Sequence, residues 1–293
     1  MIWWSVGLAC GAACCQAVAA YWQHRAVRAG QSSGLLTGRA LMRTLTDRWW
    51  LLGLLMMAAG AAMHIAALAT APLVVIQPVG ILALILVALP GRRSPRMPFL
   101  TIALTSLAVG LFVVIAASTS TQTTIPTSAV LSAVWIGAIA VAVLLALGLA
   151  TTGRRRCALF GTGAGVLFGT VSAVIRAMLQ HISSSGLDLV TLMFAATIVI
   201  ALLGAAWLIN QAHANGPAAA VVATLTIVDP LVAAGIGLFV YHESTNNSVG
   251  VMIAQAGCAV AAVVGALVLA RRLPELAAID DGQPTEEHSL QLT

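Results

Sequence analysis

The sequence predicts an all-α integral membrane protein of about nine transmembrane helices, and three observations carry that expectation. Hydrophobic residues make up 60% of the 293 positions and charged residues 8%, with a mean hydropathy of +1.00. Soluble domains keep about a quarter of their residues charged, so a chain this apolar finds its solvent in a bilayer. Apolar runs of about 20 residues, long enough to cross about 30 Å of hydrocarbon, recur along most of the length. The basic residues, all of them arginine, sit almost wholly in alternate connections between those runs.

The runs fall at roughly 2–22, 49–69, 72–90, 98–117, 128–150, 158–181, 187–210, 217–240 and 248–270. The first opens on Trp3 and Trp4, lacks a basic leading region and is too long for a signal peptide, so it reads as a span. Little more than "TAP" at Thr70 to Pro72 separates the second from the third. Trp49 to Pro90 covers 42 residues, about twice what one span needs, which favours two helices joined by a tight turn. The inward connection from Gln23 to Arg48 is the longest; its "GLLTGRALMRTLTDRWW" is expected to lie along the inner interface, anchored by Trp49 and Trp50. The acidic tail from Pro274, within 271–293, is expected to be disordered.

Arginine placement orients the chain. Arg25, Arg28, Arg39, Arg43 and Arg48 lie between runs one and two, Arg92, Arg93 and Arg96 between three and four, and Arg154, Arg155 and Arg156 between five and six. Arg271 and Arg272 follow run nine, whereas "STSTQTTIPTS" at 118–128 has no charge. Thirteen of the 14 arginines thus occupy alternate connections, which puts the N-terminus outside and the C-terminus inside. The lysine-free, alanine-rich composition suggests a GC-rich bacterium and its cytoplasmic membrane. "NNS" at 246–248 fits a glycosylation sequon of the kind that chance often supplies. Cys10, Cys14, Cys15, Cys157 and Cys258 fall within or at the ends of runs without metal spacing, and read as inert thiols.

The runs also repeat. Four precede the isolated fifth and four follow it, giving a first unit at 1–117, a connecting helix at 128–150 and a second unit at 158–270. Each unit contains a pair joined by a short turn, "ATAPLVVIQP" and "AHANGPAAAVV". The first unit starts outside and the second inside, so the two are expected to be inverted copies, an arrangement typical of secondary transporters.

The stretch "LTDRWWLLGLLMMAAGAAMHIAALATAPLVVIQPVGILALI" resembles the first half of NIPA-type proteins, a nine-span branch of the drug/metabolite transporter (EamA-like) superfamily. "LINQAHANGPAAAVVATLTIVDPLVAAGIGLFVYHE" is similar to the corresponding hairpin of their second half, which commonly closes with an acidic residue, here Glu243. The resemblance spans most of 1–270 and implies a transporter, several family members being described as carriers of Mg²⁺. Where relatives often carry an acidic residue after the first-half hairpin, this chain has "LPGRRSPR".

Several polar residues inside the runs are site candidates. Asp229 lies midway along run eight, where a charge costs about 2.5–3.5 kcal/mol on insertion scales, so it is a functional candidate by default. Pro230 withholds its N–H and crowds the carbonyl of Thr226; the alternative is a structural kink capped by Thr224, Thr226 or a neighbour. Gln77 and Pro78 form a second polar–proline break in the matching run of the first unit. Arg176 is the one arginine outside the inward connections. It snorkels outward, pairs with Asp229 or meets an anionic substrate, and its spacing from the stripe Gly161, Gly165, Gly169 and Ala173 puts it on or near a packed face. His64 reads as a cavity or a packing residue, Glu243 and Asp188 as outer-mouth acids, and Gln16, Asn210 and Gln255 as interhelical hydrogen-bonding groups.

Three functions fit these residues. The first is alternating-access transport of a small solute, metabolite or lipid-linked group, with Asp229 as a cation or proton site. The second is Mg²⁺ transport, for which one or two carboxylates are usual. The third is a non-transporting scaffold for envelope enzymes, in which the polar groups pair with one another. The bilayer and a small solute or ion are the expected partners, with a homodimer or an envelope enzyme as additions. Nucleic acid is not expected, and "GTGAG" at 161–165 follows no strand. The absence of HExxH, GxSxG or paired catalytic carboxylates points away from an enzyme, and no cofactor is expected beyond Mg²⁺ or a coupling proton.

Overall fold

A computed structural model describes residues 2–30, 47–80, 82, 99–120, 123–215, 218–243 and 248–280. Among them the regular elements are helices: α1 (Ile2–Gly30), α2 (Arg48–Thr70), α3 (Leu73–Ile76, continuing as a 3-10 turn over Gln77–Gly80), α4 (Phe99–Thr119), α5 (Thr127–Leu149), α6 (Gly153–Ser185), α7 (Leu189–Asn215), α8 (Ala218–Phe239) and α9 (Val249–Asp280). Six (α1, α2, α5, α6, α7 and α9) are long and apolar enough to cross a membrane, and the shorter stretches Ala103–Thr119 and Ile227–Phe239 are also apolar.

Several expectations change. The break between runs two and three is real, but the third run is described only as far as Gly80 and at Leu82, and 81 and 83–90 lie outside the described residues. So does the bulk of the interfacial segment expected between Gln23 and Arg48, of which α1 occupies the first part as far as Gly30. Of the tail expected to be disordered from 271, residues 271–280 continue α9 (Val249–Asp280), and 281–293 lie outside the described residues. Pro230 does not break its helix, since α8 runs through it from Ala218 to Phe239. The cost of the lost N–H is local, and hydrocarbon offers the rest of the backbone no better partner than its own helix.

The bundle is organised around α6. Of its apolar window 67% is buried, against 17–28% for the other five long helices, so α6 is the central helix and the others keep apolar faces exposed. It packs against α5, α7 and α8; α1 packs against α2, and α4 against α9. The small stripe of α6 lies on α8: a β-carbon added to Gly165 would sit 2.6 Å from Val228 Cβ, and one on Gly169 2.7 Å from the Asp229 carbonyl oxygen. Close backbone approach of this kind substitutes for the hydrophobic drive that lipid does not provide between helices. Large apolar side chains such as Leu104, Ile139, Leu203 and Ile253 remain exposed, as expected of faces that meet hydrocarbon.

The main apolar core surrounds α3, whose four residues, Leu73 to Ile76, are all fully buried. A second, smaller core of Cys157, Phe160, Ala164, Leu208, Ala212 and Val221 joins α6, α7 and α8 near the start of α6. Contacts between connections gather the α2–α3 break, the segment 123–126, the last turns of α6 and the α8–α9 turn at one end of the bundle. Those connections carry no arginine, and Arg154, Arg155 and Arg156 start α6 at the other end.

Gly169→Ala should lower the thermal midpoint in detergent by several degrees, because its methyl meets backbone and Val232 rather than a side chain that can turn away. Gly110→Ala, where a β-carbon meets nothing within 4 Å, should be neutral or slightly stabilising in the same assay.

Candidate functional site

The α2–α3 junction sets a chemical problem. Ala71 is extended and Pro72 follows, so α2 stops at Thr70 and α3 restarts at Leu73 within the apolar core. Pro72 has no N–H to give the carbonyl of Leu68, and as N-cap of α3 it has no side-chain acceptor for that helix's first amides. One helix therefore ends with free carbonyls, and the next begins with free N–H groups, where water does not reach.

Two charged residues of the second half supply what is missing. Arg176, on α6 and 4% exposed, donates from Nη1 to Leu68 O at 2.9 Å and to Ala71 O at 2.5 Å. Its Nε donates to Glu243 Oε1 at 2.5 Å, and the Val74 N–H donates to Glu243 Oε2 at 3.4 Å. The cation thus meets the negative end of α2 and the carboxylate the positive start of α3, the favourable sense for each helix end. Removing one partner of a buried pair typically costs about 3–5 kcal/mol, since the other charge is left stranded.

Local sequence delivers each group. Arg176 follows Ala173 by three residues and shares the buried side of α6. Glu243 is turned inward by the end of α8. The Tyr241 N–H donates to Ile236 O and the Glu243 N–H to Gly237 O, with His242 between them at φ 53, a left-handed conformation rare outside glycine. Gly237 leaves the space the carboxylate fills, because a β-carbon there would lie 2.6 Å from Glu243 Oε2. Tyr241 Oη donates to Ala173 O at 3.2 Å, tying this turn to α6 three residues before the arginine. One turn further along α6, Gln180 donates from Nε2 to Thr123 O at 2.9 Å and accepts from the Ile125 N–H at 2.7 Å, while Thr123 Oγ1 donates to Tyr241 O at 3.1 Å.

These placements correct three expectations. Arg176 neither snorkels nor pairs with Asp229; it is committed to Glu243 and the α2 carbonyls, which are better acceptors at its level of the bundle. Glu243 is fully buried rather than at an open mouth. Asn210 donates to Ala206 O of its own helix at 2.8 Å, and Gln16 is exposed, so neither supplies an interhelical bond. Asp188 is exposed as expected, but caps α7: it accepts from the Thr191 N–H at 2.9 Å and pairs with His181 at 2.9 Å. The Thr191 N–H and then His181 hold its carboxyl down to about 2. The charge-dependent part of this cap is complete above the ordinary carboxylate range and is lost as pH falls from there toward about 2.

A second group of polar atoms has no such partners. Asp229 lies eleven residues from Ala218 and ten from Phe239, and its Oδ1 is buried without a hydrogen bond. The same holds for Nε2 of Gln77, on the 3-10 turn, and Nε2 of Gln255, on α9. Both of those elements pack against α8. Gln77 is 3% exposed, and Pro78 marks the point where α3 tightens into its 3-10 turn. His64 is half-buried on α2, and the Thr226 side chain lies outside the described residues. Among the described residues no group of three His, Cys, Asp or Glu is placed to hold a metal ion.

Nothing in the sequence announced that Arg176 and Glu243 are partners. The signal available was that one arginine stood apart from the loops and that an acid followed run eight. Fold and polar groups together define a multi-pass helical bundle with a buried ion pair at its arginine-poor end. No protein-family model, curated protein or solved structure matches the chain.

His242→Gly should keep or raise the thermal midpoint, since glycine adopts φ 53 without strain. His242→Val should lower stability by about 1–2 kcal/mol and shift the midpoint by a few degrees.

Proposed function

We propose that the protein is a secondary transporter of the drug/metabolite type, with nine spans in two inverted units, N-terminus outside and C-terminus inside a bacterial cytoplasmic membrane. The single observation that carries this reading is the unpartnered Asp229 carboxylate at mid-helix in α8. Left bare in hydrocarbon a carboxylate is costly, so a group kept there without a cation is kept for something that comes and goes. Gln77 and Gln255 add unpaired amide nitrogens on the two elements that flank α8. Asp229 in that setting suits a small polar solute that donates a hydrogen bond to it, with a proton or monovalent cation on Asp229 between turnovers.

The pairing of helices supports two related halves. The pairs α1–α2 and α6–α7 each pack together, and the matching elements α3 and α8, and α4 and α9, pack across the middle. Contacts of that kind are expected where inverted repeats meet around a central site. The sorting of arginine-poor connections to one end accords with the orientation inferred from charge.

The Mg²⁺ reading, which the NIPA resemblance implies, ranks second. Glu243 is neutralised by Arg176, which leaves Asp229 as the one described carboxylate buried without a cation, where Mg²⁺ usually takes one or two. A scaffold role has one observation in its favour, the self-sufficient Arg176–Glu243 pair, but the unpaired Asp229 is hard to reconcile with it.

In reconstituted vesicles offered Mg²⁺, polar metabolites and lipid-linked candidates in turn, Asp229→Asn should reduce transport of the accepted solute at least tenfold. Its thermal midpoint should be unchanged or higher, since the amide removes an unpaired buried charge. Full transport by the variant would exclude Asp229 from the mechanism.

A further inference from the structure

We propose that the Arg176–Glu243 pair is a latch that closes the arginine-poor end of the bundle and must part when that end opens. The inference rests on the two-half reading above. Both charged residues belong to the second half, on α6 and on the turn after α8, whereas every other group they hold (Leu68 O, Ala71 O and the Val74 N–H) belongs to the first. If the halves move as bodies, a cluster that crosses between them at one end cannot survive opening at that end.

Its chemistry suits a contact that breaks repeatedly. A seam of interlocked apolar side chains would have to expose its whole area to water on opening. A buried ion pair is close to break-even between burial and hydration, because the cost of removing both charges from water nearly cancels their attraction. When the end opens, water enters and solvates both ions along with the carbonyls and amides they served. The pair's own contribution to closure is therefore specific in geometry and nearly neutral in free energy, as a two-state element requires. The surroundings are consistent with motion on one side only. The first-half groups are backbone atoms at an uncapped break between two helices, and the second-half groups are braced on α6 by Tyr241 and Ala173.

Asp229 lies ten residues inward from the end of α8, about 15 Å along the helix. With the latch shut, solutes would reach it from the arginine-bearing end.

The test is accessibility, which needs no substrate. In a cysteine-free background, Leu73→Cys reports on the latched end, since Leu73 is fully buried and packs beneath the carboxylate beside Gly237. Native Cys157, buried in the small core near the start of α6, serves as sole cysteine to report on the opposite end. Labelling is followed with a membrane-impermeant maleimide in sealed vesicles of each orientation, with and without Glu243→Gln. The latch predicts at least tenfold faster labelling at Leu73→Cys, with labelling of Cys157 unchanged or slower. Unchanged labelling at position 73, or equal acceleration at both ends, would make the pair a static brace and overturn the proposal. Glu243→Asp, which keeps the charge but shortens its reach, should give the same pattern more weakly and stands in if Glu243→Gln does not fold. Failure of both variants to fold would also identify a brace. If labelling shifts as predicted but Asp229→Asn leaves transport intact, the latch stands and the assignment of the transport site falls.

Discussion

A helix that stops inside an apolar core leaves carbonyls and amides that no water can satisfy, and the break at Ala71–Pro72 is where this protein meets that constraint. Pro72 withholds the N–H that would have continued α2 through Leu68, and the break is held open because Arg176 and Glu243 supply the partners that the backbone around Pro230 does not have. Everything that answers it comes from more than 100 residues away. Arg176 must be buried on α6, Glu243 must be folded inward by the turn after α8, and Gly237 must be small enough to let the carboxylate pass.

The rest of the arrangement follows from placing that arginine. To bring Arg176 against α2, α6 has to run through the centre of the bundle, and its small residues let α8 approach at Gly165 and Gly169. The same approach sets the Asp229 backbone against α6 while its carboxylate oxygen stays unsatisfied. The two carboxylates of α8 and its turn therefore have opposite fates. Glu243 is neutralised at the end of the bundle, and Asp229 is left with its need unmet midway along α8. In the proposed reading that division gives one carboxylate to closure and the other to cargo.

Much of the fold was legible from composition and periodicity. Apolar runs of span length located the helices, because the bilayer imposes a fixed length and forbids unpaired backbone. The stripe Gly161, Gly165, Gly169 and Ala173 identified the packed face of α6, and its spacing placed Arg176 there, since helical geometry fixes which residues share a side. The partner of Arg176 was not legible. Asp229 was the obvious carboxylate by depth, but pairing depends on which helix ends meet in three dimensions, and Pro72 is a signal only once the helices on either side are known to be buried. Pro230 misled in the opposite sense, because a proline that breaks a helix in water is tolerated where the remaining backbone has no alternative partner. The end of α9 was not legible, because charge and polarity after Pro274 said nothing of the helix running to Asp280.

The long sequence separation within the ion pair has a consequence for how the chain is made. Leu68 and Ala71 are synthesised more than 100 residues before Arg176, and Val74 169 residues before Glu243. During synthesis the junction between α2 and α3 therefore stays without these partners until α6 and then the turn after α8 have been made. The junction is completed only when one late glutamate is drawn into the gap that an early proline made.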